Sequence, residues 1–153
     1  MENIASNQEK YENYREQMSR LTKAMKAEFY LEAIFIEYAI LEDRLESALR
    51  HAGKWNPKKN YSIYKKCTLL LKLTEDKNGL ARKYFSEELI QSVLDWKDSR
   101  NCLIHALMNQ SLHTSDLREL AKNGQQIVKT LNSKTTSFNR ALQKEGETNS
   151  GRP

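Results

Sequence analysis

Apolar residues recur along most of the chain at the alternating steps of three and four that an amphipathic helix requires. Ser6 followed by Glu9 is a capping-box pattern, which predicts a first helix opening near residue 7. Tyr11, Tyr14, Met18, Leu21 and Met25 give that helix one narrow stripe, and the stripe needs a partner helix. From Phe29 to Leu49 the apolar positions wrap most of the circumference, so this stretch is expected to be the central, most buried helix. Gly53 suits a helix C-cap and Pro57 cannot donate a backbone hydrogen bond, which predicts a loop over roughly 53–61. Ile63, Cys67, Leu70 and Leu71 predict a third helix, stopped by Asn78-Gly79.

Ser86, with Glu87 and Glu88 behind it, caps a fourth helix that either runs unbroken to about residue 110 or is recapped at Asp98-Ser99. A fifth starts at Thr114 or Ser115 and carries Leu117, Leu120, Ile127, Val128, Leu131, Phe138 and Leu142, with Gly124 marking a close crossing or a kink. The closing EGETNSGRP holds nothing to bury, and a disordered tail is expected over 145–153. The prediction is a single all-α domain over 1–144, an up-and-down bundle of four to five helices.

Composition narrows this picture without changing it. Five Gly and two Pro in 153 residues are too few for a many-hairpin fold. No apolar run approaches the roughly 18 residues of a membrane span, and the N-terminal segment has no basic-then-apolar signal organisation, so a soluble cytoplasmic protein is expected. Cys67 and Cys102, far apart and outside any CxxC pair, are expected to be reduced thiols rather than a disulfide or zinc ligands. The net charge is +5, and residues 51–100 hold 11 basic against 6 acidic side chains. Lys54, Lys58, Lys59, Lys65 and Lys66 lead that excess, which either attracts a polyanion such as RNA or is an ordinary solvated helix face.

Several chemistries are excluded by motif. Neither GxxxxGK[ST] nor GxGxxG occurs, and no His has a Glu three residues before it, as a di-iron bundle would require. With three His in all, a His-rich metal site is hard to assemble, and no metal or cofactor is expected. His51 reads as a helix-end residue and His113 as a loop residue. His105 differs, because Leu103, Ile104, Ala106 and Leu107 surround it on a helix expected to be largely buried.

The segment WKDSRNCLIHAL gives that imidazole a context. Asn101 and His105 are four apart on one helix face, and Arg100 flanks them by about 100 degrees. Arg100, Asn101 and His105 thus form an Arg, polar, three-residue, His pattern. This resembles the signature of the HEPN superfamily of helical domains, Arg-x(4 to 6)-His with a polar residue after the Arg, placed here on the predicted fourth helix. The resemblance implies a homodimer whose two signature helices meet in one cleft, and a metal-independent endoribonuclease of the toxin or antiviral-defence type. The residues suit that chemistry: one imidazole accepts the 2′-hydroxyl proton of single-stranded RNA and a second protonates the leaving 5′-oxygen. Arg100 would stabilise the charged phosphorane, and Asn101 would orient the phosphate or the imidazole. A His-x-Tyr continuation, which marks the subgroup paired with a nucleotidyltransferase antitoxin, is absent because Leu107 stands there. A neutralising antitoxin or defence-system partner of another kind remains an expectation from the resemblance.

Glu37 lies inside AIFIEYAIL, where an unpaired carboxylate is costly to bury; it either salt-bridges Arg100 or helps line the cleft, or else simply sits at the edge of the apolar arc or bonds another Arg such as Arg44. Tyr38, Trp55, Tyr61 and Tyr64 either stack unpaired bases or fill the core and its rim. The competing reading of the whole chain is a noncatalytic helical module that binds RNA or a protein partner through its basic third.

Overall fold

Ser6 opens the first helix through both bonds of its capping box: Ser6 Oγ accepts from Glu9 N at 3.2 Å, and Glu9 Oε2 accepts from Ser6 N at 2.6 Å. The computed structural model describes residues 6–109 and 112–151. Among them the regular elements are six α-helices: α1 (Asn7–Lys26), α2 (Tyr30–His51), α3 (Ile63–Thr74), α4 (Ala81–Tyr84), α5 (Glu87–Ala106) and α6 (Thr114–Ser150). The all-α expectation holds. The count exceeds five because a four-residue helix, α4, precedes the helix that Ser86 caps.

The first two helices end by the same device. Gly53 adopts φ 71°, and its N–H bonds Arg50 O while Lys54 N bonds Leu49 O, the paired bonds of a Schellman cap. At the end of α1 the left-handed position is taken by Glu28 at φ 61°, with Glu28 N on Met25 O and Phe29 N on Ala24 O. The Glu28 side chain is tied down as well, accepting from Tyr30 Oη at 3.3 Å and Arg118 Nη2 at 3.2 Å. These contacts hold a non-glycine residue where glycine is usually found.

Helix α2 is the central element, packed against α6 most extensively and also against α1, α3 and α5. Its Ala33, Ile34, Leu41, Leu45, Ala48 and Leu49 are buried, facing Leu21 of α1, Leu70 of α3 and Val128 and Leu131 of α6 across the core. Phe85, in the turn between α4 and α5, meets Phe138 edge to face with centroids 5.1 Å apart and closes one end of the core. Burying each large aliphatic side chain contributes roughly 1.5–3 kcal/mol, so this shared surface rather than helix propensity holds the bundle together.

Three expectations are corrected. The apolar arc of α2 is not wholly covered: Phe29 and Phe35 are exposed, because α1, α3 and α6 occupy only part of its circumference. Helix α5 passes Asp98 and Ser99 without a break, yet after Trp96 none of its residues is buried, so its second half lies at the bundle margin. The disordered tail expected over 145–153 does not begin there, since α6 continues to Ser150. With 37 residues α6 spans about 55 Å against about 33 Å for the 22-residue α2, so its last turns project beyond the core as an exposed helix.

Candidate functional site

Ser86 Oγ accepts from Leu89 N at 3.1 Å and starts α5 in line with the bundle. Three turns on, Trp96 is buried and its Nε1 donates to Leu120 O at 2.9 Å, pinning α5 to α6. The next turn presents Arg100 to the open side of α2. Its guanidinium carbon lies 4.2 Å from the Tyr38 ring centroid and 5.5 Å from that of Phe35. Nη1 donates to Asn101 Oδ1 at 3.1 Å, while Nε is buried without a partner among the described residues. The planar cation is thus held between two aromatic rings and an amide, and no carboxylate neutralises it among the described residues.

His105 follows Asn101 by one turn and is exposed. This corrects the expectation of an imidazole enclosed by Leu103, Ile104, Ala106 and Leu107: the core-facing side of α5 ends at Trp96, and those neighbours are themselves only partly covered or exposed. Beyond the helix end Leu107 and Met108 are also exposed, Met108 at 92%. Arg100 and Asn101 therefore stand beside Phe35, and His105 lies one turn beyond Asn101, about 140 degrees round the helix from Arg100. Arg100 and Asn101 touch; His105 has no side-chain bond to either.

Glu37 does not join them. Its carboxylate is fully buried beside α5 and α6, neither oxygen has a hydrogen-bond partner among the described residues, and no bond to Arg100 or Arg44 forms. Burial pushes the pKa of its carboxyl up to about 9, so the group is neutral at pH 7. Its nearest cross-helix neighbours are set by Gly124, where a Cβ would stand 2.5 Å from Glu37 Oε2 and 2.7 Å from Trp96 Nε1. Gly124 is the close crossing that its place in α6 suggested.

The lysines divide. Lys54, Lys58 and Lys59 are exposed on the 52–62 loop, where Asn56 Oδ1 accepts from Lys58 N at 3.0 Å and sets the turn; Lys65 is exposed on the first turn of α3. Lys66 is 5% exposed, with Nζ 3.8 Å from Glu42 Oε1, 3.7 Å from Glu46 Oε2 and 5.4 Å from the Trp55 ring centroid. It is a packing cation between α2 and α3, and this corrects its place among the RNA-facing lysines.

Trp55 and Tyr61 pack on each other edge to face at 5.1 Å, and Arg50 lies against Trp55, so both rings are rim aromatics. Tyr64 is exposed, with Lys97 Nζ 5.7 Å from its centroid. Lys97 is a cation that the sequence pattern did not single out, although its spacing of three from Arg100 places the two on one side of α5. It connects the Lys65–Tyr64 end of α3 to Arg100, while holding Asp98 Oδ1 at 2.8 Å.

Cys67 is buried and burial pushes its thiol up to about 12; Cys102 is exposed, and both are free. Among the described residues no three His, Cys, Asp or Glu side chains converge where a metal ion could sit, and no helix is long and apolar enough to cross a membrane. No protein-family model, curated protein or solved structure matches the chain.

Proposed function

We propose that the chain is a HEPN-like, metal-independent endoribonuclease of the cytoplasm, acting on single-stranded RNA as a homodimer whose two signature helices share one cleft. The observation that supports this best is the open α5 surface, where Arg100 is fixed by Tyr38 and Asn101 and His105 is exposed one turn further on. A lone copy offers one imidazole. A second copy related by a two-fold axis supplies another, and the exposed Phe35 and Met108 give such a pairing apolar surface to cover.

In the paired site one His105 removes the 2′-hydroxyl proton as that oxygen attacks phosphorus. The bond to the 5′-oxygen breaks, and the other His105 supplies the proton that the leaving group needs. Arg100, already stripped of much of its water by the two rings, stabilises the phosphorane charge, and Asn101 retains an amide N–H to orient a phosphate oxygen. The products are a 2′,3′-cyclic phosphate and a 5′-hydroxyl. The exposed Lys54, Lys58, Lys59 and Lys65, with Lys97 beside Tyr64, offer the strand a cationic approach. A role as a toxin or antiviral-defence effector, with a neutralising partner, follows from the same reading.

The test combines association and chemistry. Light scattering at micromolar concentration should give twice the chain mass, cleavage of single-stranded RNA should persist in EDTA, and Phe35→Glu should yield a folded monomer without cleavage. A monomeric wild type that does not cleave overturns the reading in favour of a noncatalytic binding module, and cleavage that requires magnesium overturns the metal-independent mechanism.

A further inference from the structure

A second concentration of positive charge lies on helices that do not carry Arg100 or His105. The outer faces of α1, α2 and α6 enclose a groove of about 440 Å³, within the 300–1,000 Å³ range typical of small-ligand sites. Lys10, Arg44, Arg50, His51 and Arg140 line it, and among the described residues no Asp or Glu does. Asp43 and Glu46 sit outside the groove and hold Arg44 and Arg50 by the same edge, Nε and Nη2, in each case. Both guanidiniums are also braced on aromatic rings, Arg44 at 5.3 Å from the Tyr14 centroid and Arg50 at 5.4 Å from that of Trp55. Each keeps Nη1 without a protein partner among the described residues. The long cations are therefore oriented before any ligand arrives, which lowers the entropy cost of binding.

The remaining lining says what the anion carries. Asn139 Nδ2 donates to Ser47 Oγ at 3.1 Å, which fixes that amide in the groove wall. Asn132, Thr136 and Gln143, none of them buried, add amide and hydroxyl groups that a base or a sugar can bond and that bare phosphate would leave largely unused. Tyr11, exposed along the same groove, offers a flat face for a ring. His51 Nδ1 lies 2.8 Å from Ser47 O, which fixes the imidazole and leaves Nε2 free for the ligand.

We infer that this groove binds a nucleotide, with its phosphate on Lys10, Arg44, Arg50 and Arg140, its ring against Tyr11 and its polar groups on Asn132, Thr136 and Gln143. The nucleotide is either free or one unit of an RNA strand, and both present the same phosphate, sugar and base. The groove is built from other helices than the cleavage site and stands or falls separately from it.

Calorimetric titrations of the full chain with AMP, with inorganic phosphate and with a short single-stranded RNA test the inference at low salt. AMP or the RNA should saturate the protein, phosphate should bind more weakly than either, and Lys10→Gln with Arg140→Gln should weaken binding by about tenfold or more. Neither residue is buried, so the double variant should keep the wild-type melting temperature. Saturation by AMP identifies a free nucleotide as the ligand, and saturation by RNA alone that is weakened in the double variant identifies a strand. The double variant should still cleave single-stranded RNA at saturating substrate as the wild type does, which separates failure of this groove from failure of the cleavage site. No saturation by AMP or RNA to about millimolar concentration, phosphate binding as tightly as AMP, or binding unmoved by the double variant would each overturn the inference.

Discussion

Gly124 of α6 lies so close to Glu37 of α2 that a Cβ added to it would stand 2.5 Å from Glu37 Oε2, and Trp96 Nε1 would be 2.7 Å away on the other side. Neither neighbour yields easily, since Glu37 is enclosed and Trp96 is tied to Leu120 O. Exposed helix positions gain about 1 kcal/mol when Gly becomes Ala. Here overpacking should win, and Gly124→Ala should lower unfolding free energy by about 1–3 kcal/mol in urea titration. The loss should shrink in a Glu37→Ala background, because the shorter side chain vacates the space that the added methyl needs. A stabilising Gly124→Ala would show that the helices are not held at this distance.

The same carboxylate makes stability depend on pH. Glu37 titrates near its ordinary value of 4.5 when unfolded but is pushed up to about 9 in the fold by burial. Between those values the native state binds one more proton than the unfolded chain, so stability falls as pH rises through that window. The loss at pH 7 relative to pH 4.5 is on the order of 3 kcal/mol, at about 1.4 kcal/mol per unit. Glu37→Gln cannot ionise and should show a flatter decline of thermal midpoint between pH 5 and 8 than the wild type. Parallel curves for the two proteins would mean that Glu37 is ionised in the fold.

Replacing Lys54, Lys58, Lys59 and Lys65 with Gln should weaken RNA binding across sequences while leaving the melting temperature unchanged. The slope of log affinity against log salt should fall by roughly 0.7 for each phosphate of a single strand that the variant no longer neutralises. Lys66→Gln should behave in the opposite way, sparing the salt slope and costing about 1–2 kcal/mol of stability, since Glu42 and Glu46 lose their shared cation while half-covered. Filter-binding over a salt series and thermal melts of both variants separate the two roles.

His105→Ala should leave folding stability within about 0.5 kcal/mol, as befits an exposed side chain that bonds no other side chain among the described residues. Cleavage should nevertheless disappear, because acid and base contributions of about 10² to 10⁴ each are lost together in the mutant homodimer. Arg100→Lys should rescue poorly, since an ammonium cannot reproduce the flat stack on Tyr38 and the Nη1 bond to Asn101. His113→Ala serves as the control with full cleavage. Intact cleavage by His105→Ala would make the signature incidental.

Local features were legible because local physics decides them. The capping box at Ser6, the glycine cap at Gly53 and the start of α5 at Ser86 depend on side chains and backbone within a few residues of each other, so their spacing in the chain was sufficient. The helical period likewise identified α2 as the central element. Periodicity cannot say how much of an apolar arc the neighbours will cover. Phe35 has the spacing of a core residue and is exposed because the helices packed on α2 cover only part of its circumference. Lys66 and Lys65 are adjacent and chemically identical, yet a rotation of about 100 degrees aims one at Glu42 and Glu46 and the other at solvent. Glu37 could be read as costly to bury but not as unpaired, because the residues that enclose it come from α5 and α6, about 60 and 90 positions away. The groove around Asn139 had no sequence signal at all, since its cations are scattered from Lys10 to Arg140 and only the packing of α1, α2 and α6 brings them onto one surface.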